Sequence, residues 1–158
     1  MAIPISQTTA YAFRDAEHAA NLFALKELGP IYTRLNNPTN DILEQRYAQL
    51  ENGAAALVTA SGASAIFYAI ANIAEAGDNI LISDKLYGGS VTLFHFTLKR
   101  FGISVKTFKS DDASDLESLV DDKTKGIFFE SLSNPQIAIP AIEKIVEVAK
   151  KYGIITIL

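Results

Sequence analysis

The sequence predicts an α/β fold, a mostly parallel sheet with helices on both faces. Three observations point there. Apolar runs of about five residues alternate with helix-patterned stretches of about a dozen. The apolar runs are hydrophobic at nearly every position rather than at alternate ones, as in strands covered on both sides. The helical stretches end at Gly77, Gly102 and Gly153, where glycine can take the left-handed turn that stops a helix.

Residues 1 to 40 read as an irregular arm. They hold Pro4, Pro30, Pro38 and the polar run Thr33 to Asn40, with one helical stretch at Asp15 to Leu28. A long irregular arm packed on nothing is rare in a compact domain, so it is expected to lie against a neighbouring subunit. Residues 41 to 158 are expected to form the front part of the α/β domain. Asn40 reads as the N-cap of a helix carrying Ile42, Leu43, Tyr47 and Leu50 that stops near Asn52-Gly53. Ala54 to Thr59 reads as a buried strand, followed by a helix from Ala63 to Glu75. Asn79 to Ser83 is the next strand, and a helix runs from Tyr87-Gly88-Gly89 to about Arg100. Ile103 to Phe108 is a strand, Ala113 to Val120 a short helix, and Lys125 to Phe129 a strand. Pro140 to Tyr152 is a helix with Ile142, Ile145, Val146 and Ala149 on one face. Ile154 to Leu158 is a last apolar strand. Such a strand should deliver a functional side chain at its carboxyl end, so the sequence is expected to be a fragment. Its unpartnered strands predict an isolated chain that is poorly soluble or bound to a partner.

Composition narrows the function. The net charge is −4 with acids and bases interspersed, so no basic cluster offers itself to a nucleic-acid backbone. No apolar run approaches the roughly 20 residues that span a bilayer. Met1 to Thr9 lacks the pattern of a secretory signal. The absence of cysteine removes disulfides, thiolate metal sites and a cysteine nucleophile from these residues, and fits a cytoplasmic protein.

In an α/β sheet the informative residues follow the strands. Ser61-Gly62-Ala63-Ser64 is a small-residue turn into a helix, either an anion site of free backbone N–H groups or a plain N-cap. Tyr87-Gly88-Gly89-Ser90 could lay a ring against a flat cofactor, or simply turn the chain. Glu130 leads to Asn134-Pro135, where Asn134 offers a donor and an acceptor at the ligand rim, though Asn-Pro also builds ordinary turns. In the arm, Tyr32-Thr33-Arg34 places a phenol and a guanidinium on one side of an extended segment, a pair able to clamp a phosphate. His18 and His95 read as structural, with no nearby carboxylate. Asp111-Asp112 and Asp121-Asp122 read as caps and solvated ends.

Taken in order, Tyr32-Thr33-Arg34, Asn37-Pro38-Thr39, Leu50-Glu51-Asn52-Gly53, Ser61-Gly62, Gly77-Asp78, Leu86-Tyr87-Gly88-Gly89 and Glu130 with Asn134-Pro135 closely resemble the Cys/Met-metabolism family of pyridoxal-phosphate (PLP) enzymes. The resemblance runs from Pro4 to Leu158. It implies an incomplete large domain of the PLP-dependent transferase (aspartate aminotransferase-like) fold. Pro4 to Thr9 and Asp15 to Ala20 with Leu22-Phe23 resemble the O-acetylhomoserine sulfhydrylase branch. The methionine-degrading γ-lyases usually carry Cys after Tyr-Gly, where this chain has Gly89. Cystathionine γ-synthases, cystathionine lyases and a non-catalytic truncated module remain alternatives.

The resemblance also implies roles. Gly62 and Ala63 would hold the cofactor phosphate through backbone N–H groups. Tyr32 and Arg34 would reach the phosphate of a neighbouring subunit, in a homo-oligomer built as a dimer of dimers. Tyr87 would stack on the pyridine ring and act catalytically in proton transfer. Asn134 would bond near the ring hydroxyl, with Glu130 beside it. The carboxylate for the pyridine nitrogen and the Schiff-base lysine are expected beyond Leu158, so the chain alone is expected to be inactive. The substrates implied are O-acetylhomoserine and sulfide or a thiol, with no metal, nucleic acid or membrane involved.

Overall fold

A computed structural model describes residues 3–158. The chain divides into two compact units, the first ending at Val58 and the second covering Thr59–Leu158, a division later than the arm boundary expected at residue 40.

The first unit holds two helices, α1 (Ala16–Phe23) and α2 (Pro38–Leu50). Asp15 caps α1 by accepting from the His18 N–H. The helix stops at Phe23, short of the expected Leu28. Leu25 turns left-handed (φ 54°), and the N–H groups of Leu25 and Lys26 fold back to Leu22 and Asn21 carbonyls. No glycine advertises this stop. Asn37, not Asn40, caps α2: its carboxamide oxygen accepts from Thr39 N–H, and Pro38 takes the first helical position, where its missing N–H costs nothing. Asn52 (φ 51°) ends α2 in the same left-handed way, with Gly53 N–H bonded to the Ala48 carbonyl at 2.8 Å. His18 does have a carboxylate neighbour, contrary to expectation: Glu27 lies 3.6 Å from its Nε2, while the ring meets Phe13 edge-on.

The second unit is the α/β body. Its strands are β1 (Asn79–Ser83), β2 (Ser104–Phe108), β3 (Thr124–Phe128) and β4 (Ile155–Ile157), in the order β2-β1-β3-β4. Every pairing is parallel. The helices are α3 (Gly62–Ala71), α4 (Gly88–Thr92), α5 (Leu116–Leu119) and α6 (Ile142–Tyr152). All five residues of β1 are buried, because helices cover both faces. Ile80, Ile82 and Phe128 point to one side and pack with Ile70 of α3 and with Phe94 and Leu98. Leu81 and Ile127 point to the other and pack with Leu116 of α5 and with Ile145, Val148 and Ala149 of α6. The period of two along each strand thus divides the core between two layers.

The helix expected from Ala63 to Glu75 ends early, at Ala71, and two further expectations fail. Ala54 to Thr59 joins no ladder and leaves Leu57 76% exposed. An apolar run becomes a strand only where a neighbour completes its hydrogen bonds, and among the described residues none does. The helix expected after Tyr87-Gly88-Gly89, to about Arg100, is also not uniform. After α4 it widens to a π-turn over Leu93–Thr97 and tightens to a 3-10 turn over Leu98–Phe101 before left-handed Gly102 (φ 77°) ends it.

The strand order positions the site. From β1 the chain steps outward to β2, then returns across β1 to β3 and continues outward to β4. The direction reverses between β1 and β3. In open parallel sheets that point leaves a crevice beyond the carboxyl ends of the strands.

Candidate functional site

The loops leaving β1 and β3 flank this crevice, and each is anchored. Asp84 follows β1. Its Oδ1 accepts from Ser110 N–H (3.0 Å) and Ser110 Oγ–H (2.7 Å), tying the exit of β1 to that of β2. Lys85 adds an ion pair with Asp111. After β3, Ser133 is buried and closes the loop on itself. Its N–H donates to the Ala138 carbonyl, its carbonyl accepts from Ile137 N–H, and its Oγ accepts from Ala138 N–H at 3.0 Å. Asn134 opens the turn enclosed by these bonds.

A third wall comes from the start of α3. Ser61 has extended backbone (φ −162°, ψ 159°), and its Oγ accepts from Ser64 N–H at 3.1 Å. That satisfies one of the free amides at the helix start. Gly62 and Ala63, the first two helical residues, keep N–H groups with no acceptor among the described residues. They sit at the positive end of a ten-residue helix.

These pieces converge. Gly62, Ala63, Tyr87, Glu130 and Asn134 line one cavity of about 530 Å³, within the size range of small-molecule sites. Tyr87 is 56% exposed, so much of its ring faces open space. Its backbone N–H donates to Glu130 Oε1 at 3.0 Å, linking the two loops directly. Gly89 and Ser90 of the Tyr87 motif also line it, and Ile66 and Leu93, which the sequence reading does not single out, complete the wall. Helical spacing holds the missing signal: Ile66 lies four residues after Gly62, and Leu93 four after Gly89.

Tyr32 and Arg34 belong to the first unit. The segment is a turn rather than the extended stretch expected. Tyr32 forms an antiparallel bridge with Ala10, and its carbonyl accepts from Leu35 and Asn36 N–H groups. The turn still brings the two side chains together, with the Arg34 guanidinium 5.5 Å from the centre of the Tyr32 ring. Thr33 faces away and donates to the Thr8 carbonyl. The neighbouring asparagines hold this knot. Asn36 bonds Gly29 and Ile31, and buried Asn37 donates to the Ser6 carbonyl at 2.9 Å and to Thr33 Oγ1 at 3.2 Å. Their polarity in the sequence reads as loop, yet they act as internal struts.

Known proteins are similar to this chain in sequence and in fold. A homocysteine synthase of Schizosaccharomyces pombe is 48% identical over 97% of this chain and 36% of its own length. A crystal structure from Campylobacter jejuni, named as an O-acetylhomoserine (thiol)-lyase and carrying a pyridoxyl-lysine phosphate, superposes with a TM-score of 0.94 at 54% identity. The match covers 98% of this chain and 38% of that one. A cystathionine γ-lyase of Lactobacillus plantarum gives 0.86 at 27% identity, with the same coverage of 98% and 38%. The chain therefore spans little more than a third of the proteins it matches. Its residues 1–158 match the family model throughout, and the chain belongs to the Cys/Met metabolism PLP-dependent enzymes.

Proposed function

We propose that the protein carrying this chain is a PLP-dependent sulfhydrylase that converts O-acetylhomoserine and sulfide into homocysteine, or with methanethiol into methionine, by γ-replacement. The C–O bond at the γ-carbon breaks and releases acetate, and a C–S bond forms at the same carbon. The observation that carries this reading is the meeting of two free amides, an exposed phenol ring and an asparagine amide on one cavity. Each suits a different part of one flat phosphorylated ring.

Gly62 and Ala63 would hold the phosphate, where two N–H groups and the helix dipole act on the same anion. Gly62 has nothing within 4 Å of where a Cβ would stand, so the space beside its Cα is open. Tyr87 would lay its ring along the pyridine, and its phenol would hold or pass a proton at the substrate. Asn134 would bond beside the ring hydroxyl, with Glu130 next to it. Once bound, PLP supplies an electron sink, which leaves position and electrostatics to the protein.

Tyr32 and Arg34 would serve the phosphate of a neighbouring subunit, in a homo-oligomer assembled as a dimer of dimers. In support, the two side chains stand together on one turn, and α2 buries none of its residues, although Ile42, Leu43, Tyr47 and Leu50 are exposed apolar side chains. In this reading residues 1–40 are the arm and 41–158 the front of the cofactor domain. Among the described residues no helix is long and apolar enough to cross a membrane, which is compatible with a cytoplasmic setting.

The comparisons favour this branch over the cystathionine enzymes, with 54% and 48% identity against 27%. The test is an assay of the intact protein. With O-acetylhomoserine and sulfide it is expected to release homocysteine and acetate in equal amounts. Preferential cleavage of cystathionine would move it to the lyase branch.

A further inference from the structure

Tyr87 occupies a weakly supported turn. It stands at the N-cap position of α4 (φ −54°, ψ 136°), where no side chain caps the helix. The next two residues, Gly88 and Gly89, are poor helix formers and add little stiffness. Two other contacts compensate. The first is the bond from Tyr87 N–H to Glu130 Oε1 at 3.0 Å, the one side-chain hydrogen bond between the β1 and β3 exit loops among the described residues. Its acceptor is a half-buried carboxylate, and a bond to an ionised acceptor is stronger than a neutral one. The second is the seat of the ring. A Cβ on Gly89 would stand 2.5 Å from Tyr87 Cε1, 3.1 Å from Cδ1 and 3.3 Å from Cζ, so the ring rests where any other residue would put a side chain.

We propose that Glu130 is a positioning residue, which together with the bare backbone of Gly89 fixes the Tyr87 ring against the cavity it lines. Glu130 acts on the backbone of Tyr87 and sets where the ring starts. Gly89 sets the plane in which it lies. The inference deepens the sulfhydrylase reading and rests on it for its catalytic consequence, while the positioning itself needs no cofactor.

Both levels can be tested on the intact protein. The first measurement is amide hydrogen exchange at Tyr87 in cofactor-free protein. Glu130→Ala is expected to speed exchange roughly ten- to hundredfold, as the loss of a charge-assisted bond implies, and Glu130→Gln, which keeps an acceptor oxygen, to restore most of the protection. Unchanged exchange in Glu130→Ala overturns the proposal. The second measurement is kcat, KM and the circular dichroism of bound PLP. Glu130→Ala and Gly89→Ala are expected to lower kcat about tenfold or more and to alter the dichroism at unchanged cofactor content, with Glu130→Gln recovering most of the kcat. A Glu130→Gln variant as impaired as Glu130→Ala would mean that the charge acts on the substrate directly, and would overturn a positioning role. If the native protein binds no PLP, the functional reading fails, and the exchange experiment still decides whether Glu130 holds Tyr87.

Discussion

The Ser61 hydroxyl oxygen accepts from the Ser64 backbone N–H at 3.1 Å, which leaves the amides of Gly62 and Ala63 as the ones open at the start of α3. Proline at position 62 tests this division. The first helical position tolerates proline, and the extended backbone of Ser61 is the conformation proline imposes on its predecessor. Gly62→Pro is therefore expected to leave the fold intact while deleting one phosphate donor. PLP affinity should fall roughly ten- to hundredfold, the effect of one hydrogen bond to a charged group. Equilibrium titration with PLP measures it, and unchanged affinity in a folded variant would remove Gly62 from the phosphate site.

Much of this site could be read from the sequence because it is made of local signals set at strand ends. The sequence predicts β1 at Asn79 to Ser83 and it is found there, its apolar centre Ile80-Leu81-Ile82 bracketed by polar residues. Ala54 to Thr59 carries a similar apolar signal and forms no ladder, because a run of side chains does not say which strand will lie beside it. The stop near Asn52-Gly53 is legible in the sequence, whereas the left-handed stop at Leu25, an exposed residue, is not, because no glycine or asparagine stands there to mark it. The π-turn over Leu93–Thr97 differs too little from the ordinary helical period to appear in a pattern of apolar residues. The sequence marks Glu130 as a site residue, but not its partner, a backbone N–H 43 residues away.

The wide turn ties the cavity to the core. Leu93 lines the cavity, and the next residue, Phe94, is fully buried with its ring 4.8 Å from that of Phe128 on β3. Phe94→Ala is expected to cost about 3–5 kcal/mol, combining lost burial with a cavity under the site. Phe101, at the end of the same helical run, is 55% exposed, and Phe101→Ala should cost about 1 kcal/mol. Urea unfolding of both variants gives the comparison, and equal shifts would mean that the ring pair is not part of the stabilising core.

At the opposite rim, Asp121 gathers the amino ends of the sheet. Its Oδ2 meets Lys106 Nζ, and its Oδ1 accepts from Asn79 Nδ2, Thr124 Oγ1 and Lys123 N–H. Lys106 first, then Asn79, hold this carboxyl well below its ordinary value of 3.8. A depressed carboxylate stabilises the fold in full above the unfolded value. That contribution fades as the pH falls below it and is gone once the folded group takes up its proton. Asp121→Asn is expected to lower the melting temperature at neutral pH, and the difference should shrink steadily below about pH 4. A difference that stays constant into strong acid would mean that the ionised form is not what matters.

Two left-handed glycines separate strain from space. Gly153 ends α6 at φ 64° with nothing within 4 Å of a would-be Cβ, so Gly153→Ala is expected to cost only the conformational penalty, about 1–2 kcal/mol. Gly102 has a similar φ of 77°, but there a Cβ would fall 2.8 Å from Ala76 Cβ and 3.2 Å from Ala76 Cα. Its own carbonyl also accepts from Gly77 N–H at 2.9 Å, which fixes the two turns together. Relief by movement would break that bond, so Gly102→Ala should cost roughly 1–3 kcal/mol more than Gly153→Ala. Asparagine sharpens the contrast, because it tolerates the left-handed region. Gly153→Asn should recover most of the stability that Gly153→Ala loses, whereas Gly102→Asn should recover none, since its larger side chain meets the same wall. Parallel thermal unfolding of the four variants decides it, and a Gly102→Asn protein as stable as Gly153→Asn would show that the Ala76 contact yields freely.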